Sequence, residues 1–579
     1  MDSYDPYRPK QADGIAPSYM ELSATGTAAL QDQDTSYSSL HKQTTRYASL
    51  QEQDTRYSSG PDDDAASKLP SSDSDENLTL AQGIKRYPKV VGYCLALTVA
   101  IIGWGYDLVV VGSVTGVDSF KEDFGARFDG KLIIPSFWLS LWLALPPAGS
   151  VGGDLMGGWL QDAVGRKRSL FTGSVVSAIA IACIFFSYLP QGQNAKRAML
   201  TAGLTVQGFS VGVIKTTCIT YVSENAPTSL RGPAMALFPT FTLLGQLIGS
   251  IVVYVVNGIE GSQGYRAAFA SQWGMAIAPF VISIVMPDSP AYLIRKGLEQ
   301  KALRSAKRLY APKVSPYSML EKIRATINEE RALAANVSYW ACFKGTNLRR
   351  TLIVIMANSF PMLFGLDLLS NASIFLQTVG MASSTSLLLM IAGIVAGMVS
   401  NGIGIWVLSR AGRRTITMVS MGTAGVLWGV MGVSGFFSSP AAIWLAGGLM
   451  IAIIIVCGMG CWPAGYAIMG ETSSLQLRAP TQGLGGVASQ ISSIAMALAL
   501  PYIFNSDAGN LGAKTGFVYT GLCLIGVIIC WFCLPELKGR STLEVDHMFA
   551  MKLPTRKFKT WKMEEHELQE ASPLATSGA

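Results

Sequence analysis

Residues 90–116 read VVGYCLALTVAIIGWGYDLVVVGSVTG, an apolar stretch with one acidic residue, Asp107, near its middle. A helix needs about 20 apolar residues to cross a bilayer, so this stretch is long enough to do so. A carboxylate in the membrane costs at least about 2.5–3.5 kcal/mol. Such a charge belongs either to a structural ion pair or to a functional site, and we favour function because intramembrane carboxylates usually contact substrates, ions or protons.

The composition of the whole chain is that of a polytopic membrane protein. Half of the residues are hydrophobic and only 14% are charged. The three histidines (His41, His547 and His566) lie in polar tails, so proton chemistry inside the membrane must use carboxylates. The nine cysteines have no metal-ligand spacing, and the sequence has no nucleophile–base set or phosphate-binding loop. We therefore expect no enzyme, no metal or other cofactor, and no nucleic-acid partner.

Eleven further apolar segments follow the first, which predicts twelve transmembrane helices, numbered here span 1 to span 12. They lie at about 133–160, 169–190, 199–223, 234–257, 266–286, 351–380, 387–408, 415–436, 441–470, 480–505 and 515–534. The loop 287–350 and the link Arg166-Lys167-Arg168 are basic, whereas the links after spans 7 and 9 have no Lys or Arg. Because positive loops stay inside the cell, both termini and the central loop are expected in the cytoplasm.

The polar N-terminal segment, residues 1–85, is too poor in apolar residues to bury a core, so a disordered tail is predicted. It contains a ten-residue repeat: QDQDTSYSSL (31–40), HKQTTRYASL (41–50) and QEQDTRYSSG (51–60). The repeat indicates either a phosphorylatable regulatory tail or a low-complexity spacer, and the spacer is slightly favoured. The other predicted regions are an N-terminal half at 86–286, a linker with short helices at 287–350, a C-terminal half at 351–534, and a tail at 535–579.

Charged motifs recur at one offset along the chain. Gly165-Arg166 recurs as Gly412-Arg413, Glu224 as Glu471 and Arg231 as Arg478, each 247 residues later, and Asp288 recurs as Glu536 after 248 residues. This recurrence predicts two six-helix halves of the same topology. Parallel halves of this kind hold a substrate near the midplane between them and rock against each other in alternating access.

The repeated charges are expected to form an ion-pair network at the cytoplasmic ends of the helices. Membrane topology alone requires only basic residues, so the repeated carboxylates favour a gate. The predicted gate consists of Arg166, Glu224, Arg231, Asp288, Arg413, Glu471, Arg478 and Glu536.

These motifs resemble the sugar porter family of the major facilitator superfamily. The resembling stretches are GWLQDAVGRK (158–167), YVSENAP (221–227) with LRG (230–232), PDSP (287–290) and PELKGR (535–540). The stretches CFKGTNLRRT (342–351) and PTRKFKT (554–560) resemble the fungal α-glucoside (maltose) permease branch. The resemblance implies the major facilitator fold, an all-α membrane protein of twelve helices with a cytoplasmic central loop.

The resemblance also implies roles for single residues. Asp107 matches the aspartate of the first helix that binds the coupling proton, and Gln246 matches a glutamine that contacts sugar. Tyr466 stands where many members place a tryptophan that stacks on the substrate. The chain departs from the family pattern at Leu204 (usually arginine), Thr240, Pro361 and Met362 (usually glutamines), Asp367 (usually asparagine) and Ser489, which precedes Gln490.

Two other charges lie inside predicted spans. Lys215 could neutralise Asp107 or Asp367 in place of the absent arginine, or else reach the interface or pair with Glu224. Asp154 is expected at a small-residue helix contact, with its carboxylate reaching interfacial water.

The function expected is proton-coupled uptake of an α-glucoside-like sugar or related small solute across the plasma membrane, by a monomer. The solute is expected near Gln246, Thr240, Asp367, Tyr466 and Gln490. One alternative is a receptor of the same fold that binds a solute without transporting it. Another is a transporter of a less polar metabolite, which Pro361, Met362 and Thr240 would suit.

Overall fold

All twelve predicted spans are present as helices. The computed structural model describes residues 80–227, 230–231, 234, 238–259, 261–334, 339–437, 439–474, 477–540 and 542–561. The ten-residue repeat and most of the predicted N-terminal tail lie outside the described residues. The last six residues predicted as tail belong instead to a short helix, Leu80–Arg86.

The spans of the N-terminal half are six single helices. In order they are Pro88–Val114, Ser136–Val164, Arg166–Phe185, Gln193–Asn225, Phe238–Val256 and Gln263–Val285. In the C-terminal half, spans 8, 9, 11 and 12 are Ser383–Arg410, Arg413–Ser434, Arg478–Phe504 and Gly516–Cys533. Span 10 consists of Pro440–Met459 followed by Cys461–Thr472. Span 7 consists of Gly345–Asn358, Phe360–Phe364, Leu366–Ser370 and Ala372–Thr378.

Ten of these spans are long and apolar enough, among the described residues, to cross a membrane as they stand. The two others are spans 2 and 7. Span 2 is one helix of 29 residues, but Pro146, Pro147, Asp154 and Asp162 make it less apolar. Span 7 is interrupted, so the prediction of one continuous helix over 351–380 is wrong.

The interruptions of span 7 have local causes. Pro361 lacks the amide hydrogen that a continuous helix would need there. Gly365 has a φ of 90°, and a Cβ at this position would lie 2.9 Å from the rings of Trp428 and Tyr519. Irregular backbone at membrane depth is stable only where protein buries it or where it lines a cavity. Span 7 is therefore an inner element of the bundle.

The helix contacts of one half recur in the other. Span 1 contacts spans 5 and 6, span 2 contacts span 4, and span 3 contacts spans 4 and 6. The equivalent helices of the C-terminal half make the same contacts. Span 7 contacts spans 11 and 12, span 8 contacts span 10, and span 9 contacts spans 10 and 12. Between the halves, span 2 contacts span 11 and span 5 contacts span 8. This is the pattern expected of two halves with the same topology.

The contact between spans 1 and 5 depends on two glycines. A Cβ on Gly105 would lie 2.0 Å from the carbonyl oxygen of Thr242, and a Cβ on Gly245 would lie 2.0 Å from that of Ile102. Both distances are far below a van der Waals contact, so only glycine allows the two backbones to approach this closely. Small residues at helix contacts are a general device of membrane bundles.

The linker lies at one end of the bundle, which we call the linker side. It forms the helices Pro290–Arg295, Glu299–Tyr310 and Pro316–Ala334. Their apolar faces share a core with the start of span 1, where Tyr87 packs edge-on against Tyr310. Part of the predicted C-terminal tail is also helical here, Thr542–Ala550, and its Asp546 pairs with Arg350.

The opposite end of the bundle, which we call the hairpin side, carries a small β-hairpin. The strands Ala126–Phe128 and Lys131–Ile133 pair antiparallel, and Asp129-Gly130 turns between them with positive φ angles. The all-α prediction missed this hairpin, although Asp-Gly is a favoured two-residue hairpin turn.

Gly105→Ala should destabilise the protein by about 1–3 kcal/mol, because the new methyl group forces spans 1 and 5 apart. Gly92→Ala, on the same helix, has no atom within 4 Å of the new Cβ and should be neutral or slightly stabilising. Thermal unfolding followed by size-exclusion chromatography of the detergent-solubilised protein measures both. Equal midpoints for the two variants would contradict this account of the contact.

Candidate functional site

Asp107 lies inside the N-terminal half and is bound by two neutral amides. Gln207 Nε2 in span 4 donates to Asp107 Oδ2 at 2.7 Å, and Gln272 Nε2 in span 6 donates to Oδ1 at 3.0 Å. Gln207 Oε1 accepts from Ser177 Oγ at 3.1 Å and from Ser210 Oγ at 3.4 Å, which fixes the amide with its nitrogen toward Asp107. A small cavity between spans 1, 3, 4 and 6 adjoins the carboxylate.

The two glutamines were missed in the sequence. Asp107 has no cationic partner among the described residues, and Lys215 pairs with neither Asp107 nor Asp367, so both predicted pairings of Lys215 are wrong. Gln207 lies three residues after Leu204, the position of the family arginine, and therefore on the same face of span 4. That spacing was the available signal for Gln207. Gln272 has no comparable signal.

Lys215 pairs with Asp154 instead. Its Nζ lies 2.9 Å from Asp154 Oδ2, and Thr216 Oγ1 donates to Asp154 Oδ1 at 2.7 Å. The ammonium also lies 5.2 Å from the centre of the Trp104 ring, a favourable cation–π distance. The expected small-residue contact is present, since Gly153 and Gly212 bring spans 2 and 4 together beside Asp154. The expectation left out the two side chains of span 4 that bind the carboxylate.

The predicted solute residues lie on different spans of both halves. Asp367 in span 7 accepts from Ser493 Oγ in span 11 at 2.9 Å. Gln246 in span 5 and Gln490 in span 11 are half-buried, and their side-chain amides make no hydrogen bond to other described residues. Thr240 and Tyr466 are exposed, and Tyr466 follows Trp462 by one helical turn. The amides of Gln246 and Gln490 therefore keep their hydrogen-bonding capacity, whereas the Asp367 carboxylate is already bound by Ser493.

The N-terminal half of the predicted gate forms around Arg166. Its Nη2 pairs with Glu224 Oε1 at 2.7 Å, and Nη1 donates to the carbonyl of Gln161 at 3.0 Å. Asp288 Oδ1 accepts from the backbone nitrogen of Arg166 at 3.0 Å and so caps the start of span 3. Gly165 is needed for this cap, because a Cβ there would lie 2.4 Å from Asp288 Oδ2.

The same arrangement recurs around Arg413. Arg413 Nη2 pairs with Glu471 Oε1 at 2.8 Å, and Glu536 Oε1 accepts from the backbone nitrogen of Arg413 at 2.9 Å. A Cβ on Gly412 would lie 2.1 Å from Glu536 Oε2. The glycine–arginine motif and the carboxylate after the last helix of each half thus act as one capping unit.

Two predicted members of the gate do not pair with the glutamates. Arg231 makes no ion pair within the described residues, and Arg478 Nη2 donates to the carbonyl of Gly470 at 3.1 Å. Glu224 has a second partner that the sequence did not indicate, Arg295 of the linker, at 3.2 Å. All of these ion pairs join helices, or a helix and the linker, within one half.

The two ion pairs differ in burial. Side-chain exposure is 2% for Arg166 and 9% for Glu224, but 17% for Arg413 and 31% for Glu471. Linker residues account for the difference: Arg295 joins Glu224, and the Tyr292 ring lies 5.0 Å from the guanidinium of Arg166.

The halves are joined by hydrogen bonds on the hairpin side. Asp507, after span 11, accepts from the backbone nitrogen of Ser136 at 2.8 Å and from its hydroxyl, capping the start of span 2. Ser140 Oγ donates to the carbonyl of Leu498 at 2.9 Å, and Lys121 Nζ donates to Gln377 Oε1 at 2.7 Å. On the linker side, the described residues show no hydrogen bond or ion pair between the transmembrane helices of the two halves.

The comparison with known families agrees with this architecture. The model of the family described as "Sugar (and other) transporter" matches residues 93–549. The chain belongs to this family. Similar proteins include the MFS transporter fmqE of Aspergillus fumigatus, 28% identical over 79% of this chain and 85% of that protein. A general alpha-glucoside permease of Saccharomyces cerevisiae is 27% identical over 84% of this chain and 80% of the permease. The maltose permease MAL61 of the same species is 25% identical over 85% of this chain and 81% of that protein.

Solved structures show the same fold. The partially occluded inward-open xylose transporter XylE of E. coli has a TM-score of 0.64 and 17% identity, covering 78% of this chain and all of XylE. A D-xylose–proton symporter has a TM-score of 0.62 and 18% identity, covering 79% of this chain and all of that one. The prediction of an all-α membrane protein with the major facilitator fold is confirmed, and the relatives are transporters rather than enzymes.

Lys215→Met should destabilise the protein by about 3–5 kcal/mol, because it leaves the Asp154 carboxylate unpaired in the membrane. The double variant Lys215→Met/Asp154→Leu should recover most of this loss. Thermal unfolding of the solubilised variants is the measurement. Lys196→Met is the control, since its longer 3.6 Å contact with Asp123 lies at the hairpin-side end of span 4 and should contribute less. A single variant as stable as the parent would rule out the pairing.

Asp507→Ala should shift the protein toward a state open on the hairpin side, because it removes the cap that joins span 11 to span 2. In a Ser140→Cys background, the buried cysteine of the detergent-solubilised protein should react faster with a maleimide. Asp129→Ala, which removes an exposed carboxylate of the hairpin, should leave the rate unchanged. Equal labelling rates in all three proteins would show that Asp507 does not hold the halves together.

Proposed function

We propose that the chain is a secondary active transporter of the plasma membrane that takes up an α-glucoside-like sugar or related small solute with a proton. The observation that carries this proposal is the Asp107 carboxylate, held within the membrane by two neutral amides. Under this proposal the linker side faces the cytoplasm. Because the halves are joined on the hairpin side, the proposed solute site between them would then open to the cytoplasm, as alternating access requires after uptake.

Proton exchange at Asp107 requires no ion pair to break. Protonation removes a buried charge, and the amides that bind the carboxylate are neutral in either state. Asp154 is different, because protonating it would leave the Lys215 ammonium unpaired. Of these two carboxylates of the N-terminal half, Asp107 is therefore the one suited to carry the proton.

Gln272 is suited to respond to that proton. Its Oε1 is buried and has no hydrogen-bond partner among the described residues, while its Nε2 donates to Asp107. Rotation of the amide by half a turn would let Oε1 accept a hydrogen bond from the protonated carboxyl. Gln207 stays the donor, because two serine hydroxyls hold its oxygen. A change in the protonation state of Asp107 in span 1 would therefore alter the hydrogen bond that Gln272 in span 6 makes with it.

The proposed solute site lies between the halves, with Gln246 and Thr240 on one side and Asp367, Tyr466 and Gln490 on the other. The free amides match sugar hydroxyls, and the Tyr466 ring offers a face for stacking on a pyranose. The names of the yeast relatives, maltose and alpha-glucoside permeases, agree with this class of solute. A less polar solute is the second candidate, because Pro361 and Met362 are half-buried near the rings of Phe364 and Trp462, whose centres are 6.5 Å apart.

Uptake measurements in a host that lacks its own transporters test the proposal. Labelled maltose, glucose and a panel of less polar metabolites are supplied with and without a protonophore. The parent should accumulate one of them, and the protonophore should abolish accumulation. Asp107→Asn mimics the protonated carboxyl, so it should still equilibrate the solute but should accumulate none against a gradient. Glu122→Gln, at an exposed carboxylate, should behave as the parent.

The outcomes separate the alternatives. No uptake of any solute despite surface expression would favour a receptor. Accumulation that ignores the protonophore and survives in Asp107→Asn would contradict proton coupling. Accumulation of a less polar metabolite alone would replace the sugar assignment while keeping the transport mechanism.

A further inference from the structure

A basic cavity lies on the linker side of the N-terminal half, outside the solute pathway. It has a volume of about 460 Å³, and five cationic side chains line it: Lys167, Arg168, Lys301, Arg304 and Arg308. Asp288 is the one carboxylate in its lining, and backbone N–H groups of Arg166, Lys167 and Ser289 already bind that carboxylate. The cavity therefore has a large excess of positive charge.

Three of the five cations have no side-chain partner of any kind within the described residues. Arg168, Lys301 and Arg304 make no ion pair or side-chain hydrogen bond within the described residues. Lys301, Arg304 and Arg308 are spaced three and four residues apart, so they share one face of the helix Glu299–Tyr310. The opposite face, with Ala302, Ala306 and Leu309, is buried in the linker core. The helix thus directs its cations into the cavity rather than to other parts of the protein.

The cavity adjoins the linker-side end of span 6, which is where the membrane surface is expected. Lys167 Nζ donates to the carbonyl of Ile284 at 2.7 Å, and Arg308 Nη2 donates to that of Val285 at 2.5 Å. Both carbonyls belong to the last turn of span 6, where the helix leaves the bilayer. Charges placed there meet phospholipid headgroups before they meet soluble molecules.

A second basic cavity occupies the equivalent place in the C-terminal half. It is lined by Arg414, Lys538, Arg556 and Lys559, together with Glu536. Arg414 Nη2 donates to the carbonyl of Trp531 at 2.7 Å. This contact is equivalent to the one between Lys167 and Ile284. Each of its two residues lies 247 positions after its counterpart, which is the offset of the repeat.

The remaining cations of the two cavities come from unrelated parts of the chain. In the N-terminal half the linker helix Glu299–Tyr310 supplies three of them, and in the C-terminal half the tail supplies Lys538, Arg556 and Lys559. The positive-inside tendency explains basic residues on this side, but it does not require that different segments build a concave basic site at equivalent places.

We propose that each basic cavity binds the phosphate-bearing headgroup of an anionic phospholipid in the leaflet on the linker side. The ligand chemistry is a phosphate group with at least one further negative charge, as in phosphatidylserine or a phosphorylated phosphatidylinositol. A bound headgroup would bridge span 3 to the linker helix in one half, and span 9 to the C-terminal tail in the other. This inference does not depend on which solute the protein carries.

Native mass spectrometry of the full chain, released from nanodiscs, tests the N-terminal cavity. The nanodiscs contain either phosphatidylcholine alone or phosphatidylcholine mixed with phosphatidylinositol 4-phosphate. The parent should retain the phosphorylated lipid through delipidation. In the triple variant Arg168→Gln/Lys301→Gln/Arg304→Gln the N-terminal cavity should bind it about a hundredfold more weakly, since each cation near a membrane surface contributes about fivefold. The variant should therefore retain one such lipid, in the C-terminal cavity, where the parent retains two.

Lys307→Gln is the matched control, because Lys307 lies on the same helix but outside the cavity, over the ring of Tyr317. Lys307→Gln should bind the lipid as the parent does. Equal losses in Lys307→Gln and in a single Arg304→Gln variant would overturn the proposal, because surface charge alone would then explain binding. Full competition by soluble inositol phosphate at matched concentration would also overturn it, since the cavity would then be a site for free phosphate. Thermal unfolding in phosphatidylcholine alone verifies that the triple variant is folded.

Discussion

A charge within the hydrocarbon core is stable only with a partner, and this constraint organises the interior of the bundle. Three carboxylates deep within the spans meet it in three ways. Asp154 has a lysine and a threonine, Asp107 has two amides, and Asp367 has a serine hydroxyl. The three partners imply different chemistry. A carboxylate paired with a cation is favoured in its charged form, whereas a carboxyl bound by neutral groups can gain or lose a proton without breaking an ion pair.

The repeat shows which features the fold itself requires. In both halves a glycine allows a carboxylate to cap the first turn of a helix, and the arginine after that glycine reaches a glutamate 58 residues later. These contacts use backbone groups as well as side chains, so they depend on the whole motif. In the N-terminal half the linker contributes two further contacts to this ion pair, through Arg295 and Tyr292. The ion pair of the N-terminal half is therefore more buried than that of the C-terminal half, although the two halves have the same topology.

The sequence predicts the fold well because its signals are local or periodic. Apolar length identifies the spans, and the 247-residue offset identifies the halves. The site is harder, because partners depend on how helices rotate and cross. From the sequence alone, Lys215 could pair with any of four carboxylates: Asp107, Asp154, Glu224 or Asp367. Asp154 is the partner because span 4 packs against span 2. Likewise Arg231 and Arg295 are equally basic in sequence, but the linker places Arg295 against Glu224.

The unequal burial of the two gate ion pairs has a consequence for how they respond to ionic strength. The Arg166–Glu224 pair is the more buried of the two, so salt screens it less. The Arg413–Glu471 pair is about one third exposed at the glutamate, and at physiological ionic strength mobile ions screen exposed charges over about 8 Å. Added salt should therefore weaken the Arg413–Glu471 pair more than the Arg166–Glu224 pair, so that the two halves of the gate differ in their sensitivity to ionic strength.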